Sequence, residues 1–399
     1  MKGKRLTVMH FTSARERGGA EAHLAALVRA LDREAFEPLV ACPPPLATQL
    51  REELGTDVEV VPIDLRGARD FRIAPRIAIL IARRKIDILH SHLFASSLVA
   101  SPAGRLAGAR AVIETPHVNE KWRHGPWKSQ FLVDRLVART VDAFIAVSAA
   151  NARYLVGVKR LPARKVRVIP NGVDLARFAT PTLAPGEMRR RLGFGDSDPV
   201  IVVVGRLERQ KGHRVLLDAL PRVLATMANA RVAIVGDGSL RSELETQSRA
   251  LGLAGAVRFV GWQSNVADWL ALADVVALPS FYEGLPLAAL EALAAQRPLV
   301  ATAVDGTPEV VRDGRTGLTV PPGEPARLAE AILRMLRDPA FGARLALAGR
   351  ELVAQRFTHE RQVRETEQLY REIWERRAGQ RTAEPGDMPL GNRLGAEWR

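Results

Sequence analysis

Cysteine is almost absent. Cys42 stands alone in 399 residues, so no internal disulfide can form, and a reducing compartment, the cytoplasm, is the expected setting. Aromatic residues make up 5% of the chain, too few to interleave stacking faces with cations along a basic groove; nucleic acid is not expected as a partner. No apolar run reaches the ~20 residues that a membrane span requires. The basic opening, residues 1–11, carries only a short apolar segment before Ser13-Ala14-Arg15 and is not read as a signal peptide. The turn after that segment holds Gly18-Gly19-Ala20-Glu21 rather than a full G-x-G-x-x-G, so a nicotinamide cofactor is not indicated. Acidic residues are scarce in one half only. Residues 1–170 hold 28 Lys+Arg against 16 Asp+Glu, a net +12, whereas the remainder holds 30 against 28, a net +2. A basic first half is either a solvated surface or the footprint of an anionic partner, such as a membrane surface or a phosphorylated lipid.

What is present is apolar content of 47%, enough for two domains with separate cores. Short apolar runs at 6–11, 37–41, 58–63, 86–90, 111–114, 143–147 and 166–169 alternate with helical patterns, and the alternation restarts at 200–204, 231–235, 257–260, 274–278, 299–303 and 318–320. Strands alternating with helices predict an α/β chain with parallel sheets covered on both faces. The turn sequence Pro170-Asn171-Gly172 and the polar stretch after it mark the boundary. We therefore expect domains at 1–172 and 173–357, a charged helix at 358–378 and a disordered tail at 379–399.

Residues 279–298 are the centre of the second half. Glu283 and Glu291 stand eight positions apart; Gly284, Leu285 and Pro286 separate Glu283 from a run of strong helix formers that opens at Leu287. Both carboxylates are predicted at the C-terminal end of a strand, where open α/β sheets bind ligands. The run 200–204 is followed by Gly205-Arg206 and then Lys211-Gly212, a fork and a point charge suited to a diphosphate, with a solvated basic turn as the alternative. Gly236-Asp237-Gly238 and Gly261-Trp262 follow the next two strands, on the same sheet edge. His90 and His92 end one strand of the first half, and His117 follows another. Metal binding is not expected, because no Asp, Glu or Cys stands at ligand spacing and the histidines are far apart in the chain. They are read as partners of substrate hydroxyls or phosphate, with capping or packing as the alternative. Residues 120–128 mix Trp122 and Trp127 with basic groups, an amphipathic loop suited to a lipid headgroup boundary or an ordinary surface loop.

Together these segments resemble the nucleotide-sugar-dependent glycosyltransferases of family 4, group 1, over roughly residues 5–375. The residues that carry the likeness are Gly205-Arg206 through Lys211-Gly212, Gly236–Gly238, Glu283–Glu291, Pro308-Glu309-Val310, Gly18–Glu21, His90–His92, Thr115–His117 and Pro170–Asp174. The resemblance implies a GT-B fold: two Rossmann-like, doubly wound domains facing across a cleft, with the final helix crossing back to the first domain. It implies a retaining transferase acting on a nucleoside-diphosphate sugar and a glycan or polyprenyl-diphosphate-linked acceptor, in polysaccharide biosynthesis, peripheral to the inner membrane face. Arg206 and Lys211 would neutralise the leaving diphosphate, Glu291 would hold ribose hydroxyls, and Glu283 and His117 would contact the transferred sugar. Gly18 and Gly19 would approach the diphosphate; His92, Gly238 and the backbone of Gly284, Leu285, Pro286 and Leu287 would complete the pocket. No metal or other cofactor is implied. Two positions depart from the pattern. Asp305 replaces a glycine and is expected to alter the sugar pocket; Gln296 replaces another, at a left-handed helix stop, at a cost of about 1 kcal/mol. A nucleotide-sugar 2-epimerase of similar fold and a non-catalytic binder of anions or lipid are the alternatives.

Overall fold

The computed structural model describes residues 4–65, 70–120 and 131–382. The first domain is built on β1 (Leu6–Thr12), β2 (Phe36–Cys42), β3 (Glu59–Pro62), β4 (Ile88–His92), β5 (Ala111–Thr115), β6 (Ala143–Ala146) and β7 (Val166–Val168). They form one seven-stranded sheet in the order β3-β2-β1-β4-β5-β6-β7. The second is built on β8 (Val200–Val204), β9 (Arg231–Val235), β10 (Val257–Gly261), β11 (Val275–Leu278), β12 (Leu299–Thr302) and β13 (Leu318–Val320), in the order β10-β9-β8-β11-β12-β13. Every pairing of these strands is parallel. In both sheets the order reverses beside the first strand, which opens a crevice at the strand C-termini.

Alternation explains how each sheet is buried on two sides. Leu6, Val8, Ile88, Ala111, Ile113, Ala143 and Ile145 face one way and pack with Val363, Leu369, Tyr370 and Ile373 of the last helix, His359–Thr382. Met9, Phe11, Leu89, Val112 and Phe144 face the other way, onto Ile77, Ile81, Leu98 and Val99 of the intervening helices. Each Leu, Ile, Val, Met or Phe among them contributes about 1.5–3 kcal/mol by leaving water.

Several boundaries differ from the sequence reading. β4 begins at Ile88 rather than 86, because Asp87 turns its carboxylate back to the Thr7 N–H (3.2 Å) and to Lys4 Nζ (2.6 Å). The strand runs through His92, which pairs with Thr12 on one side and Thr115 on the other. A short helix, Leu132–Val137, stands between β5 and β6. The polar stretch after Gly172 holds two short helices, Leu175–Ala179 and Pro185–Leu192, whose Phe178 and Met188 enter the second domain's core. The loop expected around Trp122 and Trp127, and the tail beyond 382, lie outside the described residues.

The chain passes between the domains twice, side by side. Val173 N–H donates to Phe357 O (2.9 Å) and His359 N–H to Val173 O (3.1 Å), while Gly172 N–H donates to Gln362 Oε1 (2.8 Å).

Candidate functional site between the two sheets

On the second domain, the chain leaving β8 turns at Gly205 and Arg206, then closes on itself at Gly212. Gly212 has φ 67°, and a Cβ there would lie 2.0 Å from Pro279 O, so only glycine lets the two loops touch. That contact sets Lys211 against residue 283: its Nζ donates to Glu283 Oε1 at 2.7 Å, with side chains 21% and 7% exposed. Glu291 lies in the helix Leu287–Ala294, which begins directly after Pro286. Burial pushes its carboxyl up, and Arg177 and Lys211 pull it back. Arg206 is exposed. Gly238 shapes the neighbouring turn: a Cβ on it would stand 2.7 Å from Leu207 O.

The first domain meets these groups with the start of its helix Gly19–Ala30. A Cβ on Gly18 would be 3.4 Å from Arg206 Nε, and one on Gly19 would be 3.6 Å from Leu287 Cδ1. The glycine pair thus stands directly opposite the arginine and the second domain's helix start. Glu21 accepts the Gly18 N–H (3.0 Å), and burial raises its pKa against the pull of its backbone hydrogen bonds and Arg206.

Around this opening the domains are joined by backbone and buried polar contacts. Gly284 is pressed on the chain after β5, where a Cβ would be 2.0 Å from His117 O. Ser148 Oγ donates to Gly284 O (3.0 Å), and Asn171 Nδ2 donates to Leu285 O (2.9 Å). Glu309 accepts the N–H groups of Ala149 (3.1 Å) and Ala150 (2.8 Å), at the start of a first-domain helix. Asp305, in a left-handed conformation with φ 46°, accepts from Asn119 Nδ2 (2.9 Å) and from the Glu283 N–H (2.9 Å). Its substitution for glycine therefore bridges the domains and fixes the backbone of Glu283. Gln296 takes φ 54° at the helix stop.

The histidines assemble in a way that their spacing in the chain hides. His10, His23, His90, His92 and His117 are all buried in one group. Register explains it: His10 pairs with His90 across β1 and β4, and His90 and His92 share a strand face. His92 is fully buried, with one nitrogen 3.1 Å from His10 and the other 3.1 Å from His117. It was expected to touch substrate; both its nitrogens are instead engaged by other histidines. Sequence separation was a ground for expecting no metal, and it does not hold in space: the nitrogens of His10, His90 and His92, and of His23, His92 and His117, each lie within 4.8 Å of one another. Burial holds all five rings below their usual pKa, His10 to about 3 and His23 to about 4.

Of the residues read from the sequence, the structure sets Gly18 against Arg206, Gly19 against Leu287, Lys211 against Glu283 and Gly284 against His117. Sequence reading missed His10, His23, Asn119, Ser148 and Asn171. Among these only Asn171, in the turn Pro170-Asn171-Gly172, carried a readable signal.

Comparisons with known proteins identify the family and the fold. The model for group 1 glycosyl transferases matches residues 198–338, and that for Glycosyltransferase Family 4 matches residues 17–177. A glycogen synthase of Mycobacterium tuberculosis (strain CDC 1551 / Oshkosh) is 35% identical over 71% of this chain and 68% of its own. A D-inositol 3-phosphate glycosyltransferase of Nocardioides sp. is 33% identical over 71% of this chain and 67% of its own. The crystal structure of Anabaena HepE in complex with UDP superposes with a TM-score of 0.79 at 23% identity, covering 92% of this chain and 100% of that one. The chain belongs to the family 4, group 1 glycosyltransferases of GT-B fold.

Proposed function

We propose that this glycosyltransferase moves a sugar, with retention of its anomeric configuration, from a nucleoside diphosphate to a glycan or polyprenyl-diphosphate-linked acceptor in polysaccharide biosynthesis. The observation that carries the reading is the opposition of Arg206 and the Lys211–Glu283 pair, on one sheet edge, to Gly18 and His117 on the other. Two cations beside a helix start stabilise the negative charge that develops on a departing diphosphate. Glu291 accepts ribose hydroxyls, and Glu283 and His117 contact the sugar.

The carboxylates of the first domain favour front-face substitution over a covalent intermediate. Retention by double displacement needs a free carboxylate beside the sugar. Glu21 is buried and bonded to the Gly18 N–H, and Glu120 pairs with Lys159 at 2.5 Å. In our reading the diphosphate itself helps deprotonate the acceptor, and the arginine–lysine pair does the electrostatic work without a metal.

The acceptor reading rests on the surface of the first domain. Residues 131–170 contain eight Lys+Arg and two Asp+Glu. Both acids, Asp134 and Asp142, are buried, whereas Arg139, Arg153, Arg160, Arg164 and Arg167 are exposed together with Leu132, Val133, Leu136, Val156 and Val158. Cations among exposed apolar groups suit an anionic membrane surface or a lipid diphosphate. No helix of the described residues is long and apolar enough to cross a membrane.

A thermal-shift screen with UDP-, GDP- and ADP-sugars tests the donor. The right one, at 100 to 1,000 times its Kd, adds about 2.7–4 kcal/mol. Silence from every nucleotide would contradict the reading, and an inverted anomer by proton NMR of the product would contradict retention.

A further inference from the structure

The three central imidazoles form a chain. His10 Nδ1 is 3.1 Å from His92 Nε2, and His92 Nδ1 is 3.1 Å from His117 Nε2. Their ring centroids are 5.4 Å apart in both steps, with interplanar angles of 22° and 17°. The centroid separation exceeds the nitrogen separation by just two ring radii, so each nitrogen pair lies on the line joining its rings. That is the direction in which an in-plane N–H meets an in-plane lone pair.

A neutral imidazole has one N–H and one acceptor nitrogen. Burial keeps these rings neutral at ordinary pH. The chain therefore runs in one of two directions, and all three tautomers change together. If His117 donated to His92, and His92 to His10, the proton of His10 would sit on Nε2. That nitrogen is buried and has no partner. A sealed N–H is the rarer and costlier orphan. In the opposite direction His10 Nδ1–H donates to His92, His92 Nδ1–H donates to His117, and only a lone pair is left facing apolar surroundings. His117 then carries its proton on Nδ1. That atom makes no hydrogen bond among the described residues and is absent from the sealed nitrogens, on a ring that is 7% exposed.

We propose that His10 and His92 are positioning residues that fix the tautomer of His117, so that its Nδ1–H is presented to the interdomain cleft as a donor to an oxygen of the transferred sugar. The sugar contact rests on the functional reading above; the tautomer does not. The neighbours hold the chain in place. His90 stacks on His92 with centroids 4.3 Å apart and is itself held by Tyr370 Oη at 2.6 Å and Thr115 Oγ1 at 2.7 Å. His23 meets the edge of His117 with centroids 4.8 Å apart. The helix that crosses back from the second domain, which supplies Tyr370, thereby braces a chain that ends at the cleft.

Long-range proton–nitrogen correlation NMR of the full chain labelled with 15N-histidine reads each tautomer directly, with His10→Asn and His117→Gln as assignment variants. The expected result is Nδ1–H for His10, His92 and His117; an Nε2–H pattern at His117 overturns the proposal whatever the activity. Turnover gives a second readout. An asparagine amide at position 10 replaces the Nδ1–H, whereas phenylalanine fills the space without a donor. His10→Asn should keep kcat/KM within about twofold, and His10→Phe should lower it about tenfold, the loss of one oriented hydrogen bond. Equal kcat/KM in the two variants overturns the proposal; if His10→Phe does not fold, the wild-type tautomers decide it. Unchanged transfer by His117→Ala, with the tautomers as stated, overturns the sugar contact alone.

Discussion

Gly284→Ala places a methyl in the joint between the domains. The added carbon would start 2.0 Å from His117 O and 2.9 Å from Val147 Cγ2. The first of these is backbone, fixed by its position directly after β5, so it cannot rotate away as a side-chain tip would. The methyl must retreat by about 1 Å, and overpacking of this kind costs about 1–3 kcal/mol. In a domain of this size each kcal/mol lowers the melting temperature by about 2–4 °C. The retreat also draws His117 and Glu283 apart, and misplacement of about 1 Å lowers turnover by as much as 100-fold. A melt and steady-state transfer kinetics, run beside Gly186→Ala, measure both effects. Gly186 has open space at Cβ and lies in the first turn of a helix, so alanine there should be neutral or stabilise by about 0.4–1 kcal/mol. If Gly284→Ala melted and turned over like wild type, the close joint described between the domains would be wrong.

Other perturbations follow from individual contacts. Lys211→Ala leaves the Glu283 carboxylate, 7% exposed, without its cation; the expected cost is about 1–3 kcal/mol by urea unfolding, with a loss of transfer that Lys211→Arg does not restore. Tyr370→Phe removes the 2.6 Å bond to His90 and should cost about 1–3 kcal/mol, measured by the same unfolding. Burial raises Glu114 to about 7, so the folded state holds a proton that the unfolded chain releases near 4.5; this contribution is full below 4.5 and lost as pH rises to 7. The buried histidines act in the opposite sense: their folded pKa values lie below 6.5, so stability is lost as pH falls below 6.5. With six lowered histidines, His213 included, against three raised glutamates, Glu21, Glu114 and Glu291, the net trend is acid destabilisation, and Glu114→Gln should steepen it between pH 5 and 7 in urea titrations at each pH.

The architecture was legible because apolar runs of strand length survive any tertiary context, and a parallel order follows from their alternation with helices. Local punctuation was less legible. Nothing in Ile86-Asp87 announces that the aspartate would leave the strand to bind Lys4 and the Thr7 amide. Within the site, residues bracketed by glycine or proline, such as Arg206, Lys211 and Glu283, could be picked out because those backbones have few other uses. His10 and His23 could not. Their partners lie on other strands and on the last helix, and only the β1–β4 register brings His10 beside His90. Asp305 was noticed as a departure, but its contacts cross from one domain to the other, which no local pattern can reveal.

The clamp at the cleft is the centre of the account, and calorimetric titration of UDP, GDP and ADP into wild type, Arg206→Ala and Lys211→Ala measures it most directly. One diphosphate should bind wild type and lose about tenfold or more in affinity with either substitution, the worth of a charge-assisted contact of about 1.5–3 kcal/mol. Equal affinity in all three proteins would contradict the assignment of Arg206 and Lys211 to the diphosphate.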